Sequence, residues 1–297
     1  IFVALGLGLM LLQACGDSED VLPDAGLEAA GELDGGELDA GELDGGGEEG
    51  VLTEAGRVLG FEDDEGTQAF LGIPFAAPPV GALRFRPSQA PVPWEGALSA
   101  DTFPPACMQV KEGEVVGQED CLYLNIWRPG PAAEAAWPLP VMVYIHGGGN
   151  VSGSSSEETS GARTYDGARM SARGQVIVVT LQYRLNILGF MVDDSLDEAE
   201  QLSGNYGIRD QLAALGWVKR NIAAFGGDPE RVLLFGESGG ATDVCALLAV
   251  PSAAGLFQSA VVMSGGCNGK LRGAVRNWSG EVVEALGCAQ ASERADC

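Results

Sequence analysis

The sequence predicts an α/β fold in which a mostly parallel β-sheet is covered by helices on both faces. Short, uninterrupted apolar segments are typical of strands that are buried on both sides. These segments alternate along the chain with segments of helical character, which is the pattern of a parallel sheet with helical crossovers. In such sheets, binding and catalytic residues collect at the carboxyl ends of the strands.

The predicted elements begin with a β-hairpin in residues 51–80, which runs into a proline-rich stretch. Buried strands are predicted at 141–145 and 176–181. The segment 205–227 is predicted to be a helix, because its apolar residues recur at a spacing of about 3.6 residues. The two glycines at the end of the segment are predicted to terminate the helix. The positions at this spacing are Ile208, Leu212, Leu215, Lys219 and Ile222.

A serine lies in the sharp turn between a predicted strand at 231–236 and a predicted helix at 239–249, and a further strand starts at 259. The residues Gly236-Glu237-Ser238-Gly239-Gly240 match the pattern G-x-S-x-G, and strand–turn–helix is the context that a nucleophile elbow requires. The unpaired N–H groups and the dipole at the start of the helix favour a developing anion there. Ser238 is therefore the candidate nucleophile.

A second motif, His146-Gly147-Gly148-Gly149, follows the predicted strand at 141–145. Glycines after a strand expose backbone N–H groups, and donors aimed at the oxyanion of acyl transfer are worth about 2.7–4 kcal/mol each. A tight βα turn would explain HGGG on its own. HGGG followed by G-x-S-x-G is the lipase and esterase arrangement, so the two motifs together predict an active site.

Several long motifs resemble the type-B carboxylesterase family of α/β-hydrolases, which includes carboxylesterases, cholinesterases and para-nitrobenzyl esterases. The resemblance covers residues 51–297 and rests on FLGIPFAAPPVGALRF, EDCLYLNIW, VMVYIHGGG, VVTLQYRLNILGF, GNYGIRDQLAALGWVKRNIAAFGGDPERVLLFGESGG and LFQSAVVMSGG. It implies an α/β-hydrolase fold, of which this chain holds the N-terminal portion. It also implies a partial carboxylesterase domain that acts on esters without a metal or an organic cofactor.

The resemblance implies a role for each residue that matches a family position. Ser238 is the nucleophile, and the backbone N–H groups of Gly148, Gly149 and Gly239 form the oxyanion hole. Glu237 is the acid next to the nucleophile, and it belongs to the residues that surround the reacting groups without touching the substrate.

Three departures from the family pattern bear on the site. Gly239 stands where alanine is usual, and Asn150 stands where an aromatic residue is usual, which predicts a more polar wall. The loop between Cys107 and Cys121 has no aromatic residue. Cholinesterases bind choline there with a tryptophan through cation–π attraction, so a choline ester is not the expected substrate.

The sequence contains seven cysteines, which is typical of an exported protein with disulfides. If Cys15 carries lipid, an even number of cysteines remains for disulfides. The resemblance implies the pairs Cys107–Cys121 and Cys288–Cys297, which leaves Cys245 and Cys267 as a third pair.

The chain opens with twelve apolar residues, too few for a membrane span of about 20 residues but typical of a signal-peptide core. Leu12-Gln13-Ala14-Cys15 resembles the lipobox of bacterial lipoproteins. Residues 1–15 are therefore expected to be a signal segment, with lipidated Cys15 anchoring the mature protein to a membrane of the cell envelope. A plain secretory signal, and hence a secreted protein, is the alternative.

Residues 16–50 form an acidic, glycine-rich linker with the repeat GELDG, GELDA, GELDG. Such a composition predicts disorder, and we expect a tether; calcium binding is the alternative. Residues 17–65 carry 18 acidic residues and one basic residue, so most of the net charge of −25 lies there. No basic patch remains that would bind nucleic acid.

Ser238 needs a general base, and the one histidine of the sequence precedes it. In this fold the triad runs serine, then aspartate or glutamate, then histidine, so His146 does not fit. After Ser238 the sequence has five acidic residues and no histidine. These acids are Asp243, Glu281, Glu284, Glu293 and Asp296. We therefore expect the acid and the histidine to lie C-terminal to this sequence, and this chain to be inactive alone.

The sequence thus predicts a serine hydrolase that cleaves small-molecule carboxylic esters through an acyl-enzyme. One alternative is a non-catalytic surface binding or adhesion module on the same scaffold, as in the neuroligin branch. Those relatives lose the nucleophile, whereas Ser238 is present here. The other alternative is an inactive, truncated form of the enzyme.

Overall fold

The computed structural model describes residues 50–130, 138–197 and 202–288. Cys15, Cys297, the predicted signal segment and all of the predicted linker except Gly50 lie outside the described residues. The predictions made for them stay predictions.

The described residues form fourteen strands and five α-helices. The strands are β1 (Val51–Thr53), β2 (Gly56–Leu59), β3 (Phe61–Glu62), β4 (Thr67–Pro74), β5 (Ala97–Ser99), β6 (Gln109–Lys111), β7 (Glu114–Val116), β8 (Tyr123–Pro129), β9 (Leu139–Ile145), β10 (Glu158–Thr159), β11 (Ala162–Arg163), β12 (Ile177–Leu181), β13 (Gly227–Glu237) and β14 (Ser259–Met263). The helices are α1 (Ala168–Gly174), α2 (Asn186–Phe190), α3 (Tyr206–Asn221), α4 (Gly239–Ala249) and α5 (Arg272–Ala285).

Seven of these strands form the central sheet, in the order β14-β13-β9-β12-β8-β4-β3. The pairs β14–β13, β13–β9 and β9–β12 are parallel, and the pairs β12–β8, β8–β4 and β4–β3 are antiparallel. Only β8 and β3 therefore run against the direction of the other five strands. The predicted mostly parallel sheet is confirmed. Its antiparallel pairs lie at the edge formed by the early strands β3, β4 and β8.

The hairpin predicted in residues 51–80 is in fact two hairpins. The first, β1–β2, builds a small separate sheet with β5. The second, β3–β4, forms the edge of the central sheet. The turn of the second hairpin is held by the Asp63 carboxylate, which accepts hydrogen bonds from the backbone N–H groups of Glu65 at 3.0 Å and Thr67 at 2.9 Å.

Helices cover both faces of the sheet, as the alternation of side chains along β12 shows. Ile177 and Val179 lie in the main core with apolar residues of α3 and α4. Val178 points to the opposite face, where it packs with Trp127 and with Ala168 of α1. Both faces are apolar because both are covered, which explains the uninterrupted apolar strands of the sequence.

Helix α3 matches the predicted helix in residues 205–227. Among the positions of the predicted stripe, Ile208, Leu215 and Ile222 are buried in the main core. The helix tightens into a 3₁₀ turn over Ile222–Phe225, and Gly226 then takes a left-handed φ of 85° that ends it.

The central strands β9 and β13 deliver the two glycine-rich motifs to one place. They are parallel neighbours, and Ile145 of β9 lies opposite Gly236 of β13. Because both strands end at the same edge of the sheet, His146 and Ser238 begin adjacent loops. In the part of the chain described here, no helix combines the length and apolar character that crossing a membrane requires.

Candidate active site

Ser238 occupies a strained turn between β13 and α4. Its φ of 54° and ψ of −115° lie outside the regions that ordinary residues prefer. The turn is held on both sides, because the Ser238 N–H donates to the carbonyl of Met263 at 2.9 Å and the Ser238 carbonyl accepts from the Thr242 N–H at 3.1 Å. Gly236 makes the turn possible, since a methyl group there would lie 2.5 Å from the Gly240 carbonyl oxygen.

The Ser238 side chain is half-buried at the start of α4, the position that the nucleophile-elbow motif predicts. Its hydroxyl makes no hydrogen bond with any residue that the structure describes. The hydroxyl is therefore available to a general base and to a substrate.

The glycine loop, defined here as residues 147–150, leaves the end of β9 and turns sharply. Gly148 and Gly149 have left-handed φ values of 105° and 63°. The Gly148 carbonyl accepts hydrogen bonds from the N–H groups of Val151 at 3.1 Å and Ser152 at 3.2 Å, which closes the turn. Within the described residues, the N–H groups of Gly148 and Gly149 donate no hydrogen bond, and both glycines are exposed.

The glycine loop packs directly on the N-terminus of α4. The position of a Cβ on Gly239 would be 2.6 Å from the Gly149 nitrogen and 3.1 Å from the Asn150 nitrogen. The Gly239 N–H also donates no hydrogen bond in the described part of the chain. The structure thus brings the three predicted oxyanion donors, Gly148, Gly149 and Gly239, together beside Ser238.

Glu237 lies on the inner side of this junction. A Cβ on Gly147 would be 2.8 Å from Glu237 Oε2 and 3.2 Å from the Ser238 Cβ. The Glu237 carboxylate therefore sits against the backbone where the glycine loop begins, behind the serine.

His146 is buried below the glycine loop, with 1% of its surface exposed. Its ring stacks on Tyr183 with centroids 4.5 Å apart, and its Nδ1 lies 2.9 Å from the Gly147 carbonyl oxygen. Burial lowers the pKa of His146 to about 4, because the charged form would lose its hydration, although the Gly147 carbonyl and Glu157 partly oppose this. A neutral, enclosed imidazole with this pKa is a structural residue.

The acids that follow Ser238 do not form a triad with it in the described residues. Asp243 is buried and accepts hydrogen bonds from Asn150 and Gln211. Glu281 and Glu284 are exposed on α5. Glu293 and Asp296 lie outside the described residues.

Comparison with known proteins shows the family of the chain. A model of the carboxylesterase family matches residues 48–297. The chain belongs to the carboxylesterase family. It is 42% identical over 244 residues to the para-nitrobenzyl esterase of Bacillus subtilis (strain 168), covering 80% of this chain and 48% of that protein. It is 43% identical over 232 residues to the cocaine esterase of Homo sapiens, covering 72% of this chain and 39% of that protein.

Solved structures of the family have the same fold. A PNB esterase matches with a TM-score of 0.72 at 43% identity, over 80% of this chain and 48% of that chain. The carboxylesterase EST55 of Geobacillus stearothermophilus matches with a TM-score of 0.72 at 38% identity, over 82% and 51%. The α/β-hydrolase fold is therefore confirmed. The chain spans 39–51% of the length of these relatives.

This carboxylesterase-family chain contains one disulfide that the resemblance implied and the one that was predicted from the two cysteines left over. They join Cys107 to Cys121 and Cys245 to Cys267. The second links the middle of α4 to the segment after β14. Cys288 is also disulfide-bonded, and its predicted partner, Cys297, lies outside the described residues.

One departure from the family pattern has a different meaning from the one the sequence suggested. Asn150 does not turn a polar side chain into the wall of the site. Its Nδ2 donates to Asp243 Oδ1 at 2.7 Å, and its Oδ1 accepts from the Tyr183 hydroxyl at 3.2 Å. Sequence reasoning missed this network, and the only signal for it was an acid in a helix whose other residues, apart from Thr242, are apolar or glycine.

Proposed function

We propose that this carboxylesterase-family protein hydrolyses carboxylic esters through an acyl-enzyme on Ser238. The observation that carries the proposal is the convergence of a strained, half-buried serine with three backbone N–H groups that donate no hydrogen bond to any described residue. The family membership and the names of the relatives support it.

In the proposed reaction, Ser238 Oγ attacks the ester carbonyl and gives its proton to a general base. The carbonyl oxygen becomes an oxyanion that accepts hydrogen bonds from the N–H groups of Gly148, Gly149 and Gly239. These donors are fixed before the reaction, so they stabilise the new charge without reorganising, at about 2.7–4 kcal/mol for each donor. The C–O bond to the alcohol then breaks as the base returns the proton to the departing oxygen. Water, deprotonated by the same base, attacks the acyl-serine; the acid is released and the proton returns to Ser238 Oγ.

His146 does not serve as the base in this proposal. Its Nδ1 is engaged with the Gly147 carbonyl, and its pKa of about 4 makes it a weak proton acceptor. The triad order of this fold places the acid and the histidine after the serine. We propose that both lie C-terminal to the residues printed here, so the test uses the complete reading frame.

The test follows release of p-nitrophenolate from p-nitrophenyl acetate and butyrate by the protein from the complete reading frame. Ser238→Ala is expected to lower kcat on the order of 10⁶-fold, as loss of the nucleophile does in serine hydrolases. Ser252→Ala is the matched control, because Ser252 is exposed in the turn after α4 and should tolerate the change.

Three outcomes are informative. Hydrolysis that Ser238→Ala abolishes and Ser252→Ala leaves intact supports the esterase. Equal rates for wild type and Ser238→Ala reject it. Binding of an ester or of a protein partner without any turnover favours the adhesion-module alternative.

We further propose that the protein is attached to a membrane of the cell envelope through lipidated Cys15. The lipobox-like residues 12–15 and the acidic linker support this, and the family match begins only at residue 48. Metabolic labelling with palmitate should mark wild type and Ser18→Ala but not Cys15→Ser. Unlabelled wild-type protein in the medium would instead support a plain secretory signal.

A further inference from the structure

Asp243 is a buried carboxylate that the proposed chemistry does not use. It is 2% exposed, and each of its oxygens accepts one hydrogen bond from a neutral amide. Oδ1 accepts from Asn150 Nδ2 at 2.7 Å, and Oδ2 accepts from Gln211 Nε2 at 2.6 Å. No lysine or arginine of the described residues pairs with it. An unpaired buried charge is costly, so its presence needs a physical reason.

The position of Asp243 on α4 supplies one part of that reason. Gly239 and Asp243 are four residues apart, so they lie on the same face of the helix, one turn from each other. The glycine loop docks on this face, with the backbone of Gly149 and Asn150 against Gly239. The Asn150 side chain then reaches one turn further along the helix to Asp243.

Asn150 also forms hydrogen bonds with residues outside α4. Its carbonyl accepts from the Asn186 N–H at 2.7 Å, and its Oδ1 accepts from the Tyr183 hydroxyl. Its backbone has a left-handed φ of 62°, which asparagine tolerates better than most residues. Of these contacts, the bond to Asp243 is the one that ties the glycine loop to the helix carrying Ser238.

We propose that Asp243 is a positioning residue for ester hydrolysis: through Asn150, it holds the glycine loop against α4 and so sets the spacing of the Gly149 and Gly239 N–H groups. This inference rests on the proposed function. Asp243 itself touches no reacting atom. Its effect is on the geometry of the oxyanion donors, for which an error near 1 Å can cost about 100-fold in rate.

A charge-swap experiment separates this role from a general need for a buried acid. In Asp243→Asn, the NH₂ groups of Asn150 and Gln211 compete for a single amide oxygen. One of these buried NH₂ groups is left without an acceptor even if Gln211 turns its Oε1, which has no partner among the described residues, towards the new amide. In Asn150→Asp, two carboxylates face each other where a 2.7 Å hydrogen bond stood. Each single variant should therefore loosen the glycine loop.

The double variant Asn150→Asp/Asp243→Asn restores every hydrogen bond, with donor and acceptor reversed only between positions 150 and 243. The amide at position 243 donates to the carboxylate at position 150 and accepts from Gln211 Nε2. The carboxylate at position 150 still accepts from the Tyr183 hydroxyl. Asp64→Asn is the matched control, because it removes a negative charge at an exposed position far along the chain.

Two measurements on the protein from the complete reading frame decide the matter. With p-nitrophenyl butyrate, each single variant should lose about 10–100-fold in kcat with little change in KM, and the double variant should return to within about 5-fold of wild type. Hydrogen exchange of the amides in residues 147–152 should be faster in each single variant and restored in the double variant. Asp64→Asn should match wild type in both.

The proposal is overturned if both single variants keep the wild-type kcat and exchange, or if the double variant is no better than the single variants. Active wild type with two unaffected single variants removes only the positioning role. A wild-type protein without esterase activity removes the proposed function, and the positioning role of Asp243 with it.

Discussion

Replacing His146 with glutamine should make the stability of the protein less sensitive to acid. His146 is fully buried, and its pKa of about 4 in the folded protein is below its ordinary value of 6.5. The unfolded chain therefore takes up a proton as the pH falls through 6.5, while the folded protein stays neutral until about 4. The unfolded state gains from this uptake, so stability is lost as the pH falls across that window.

The size of the effect follows from the two pKa values. Between pH 7 and pH 5 the difference in proton uptake costs the folded state about 2 kcal/mol, and the loss reaches about 3 kcal/mol near pH 4. Asp243 works in the opposite direction, because burial raises its pKa to about 6 against the weaker effect of its hydrogen bonds. Its contribution is present in both proteins and cancels in their difference.

The assay is urea unfolding of wild type and His146→Gln at pH 7 and pH 5. At pH 7 the variant should be less stable, because it loses the stacking on Tyr183. Between the two pH values it should lose about 2 kcal/mol less than wild type. Wild type and His146→Gln share every other titratable group, so the difference between their losses reports His146 alone. Equal losses for the two proteins would refute a buried, neutral His146.

Two further predictions concern a close approach and a buried charge. Gly148→Ala should lower kcat for p-nitrophenyl butyrate about 100-fold, as loss of an oxyanion donor does, because its methyl group would lie 2.0 Å from the Ser152 carbonyl oxygen. In Gly149→Ala nothing lies within 4 Å of the new methyl group, so the change should cost only about 1–2 kcal/mol of stability for its left-handed φ. A larger loss of kcat in Gly149→Ala than in Gly148→Ala would contradict this. Arg184→Leu should lower the free energy of unfolding by about 3–5 kcal/mol, because it leaves the buried Asp210 carboxylate unpaired. Urea unfolding checks this, and Arg184→Leu/Asp210→Leu should recover part of the loss.

Much of the fold could be predicted because its signals are local. The helix predicted at 239–249 is α4, and the apolar strand segments are β9, β12 and β13, because strands buried on both faces need uninterrupted apolar runs. The order of strands was not predictable. Strand β8 lies between β12 and β4 because of side-chain packing between segments far apart in the chain, which no local pattern encodes.

The candidate site divides in the same way. Ser238 and the glycines at 148 and 149 could be found from the sequence, because a strained turn and exposed N–H groups require glycine at fixed spacings. The role of Asn150 could not be found from the sequence. Its partner, Asp243, is 93 residues away, and only the packing of the glycine loop on α4 brings the two together.

By itself, the sequence determined that an α/β sheet would carry a serine and a glycine-rich turn at strand ends. The reason is that strained or tight backbone conformations restrict which residue types can occupy those positions. It also determined that His146 precedes the serine and so falls outside the triad order. Only the tertiary structure decided that Asn150 turns inward and that a buried carboxylate holds the glycine loop. The physical reason is that hydrogen-bond partners in a dry interior are chosen by proximity in space, which depends on how distant segments pack.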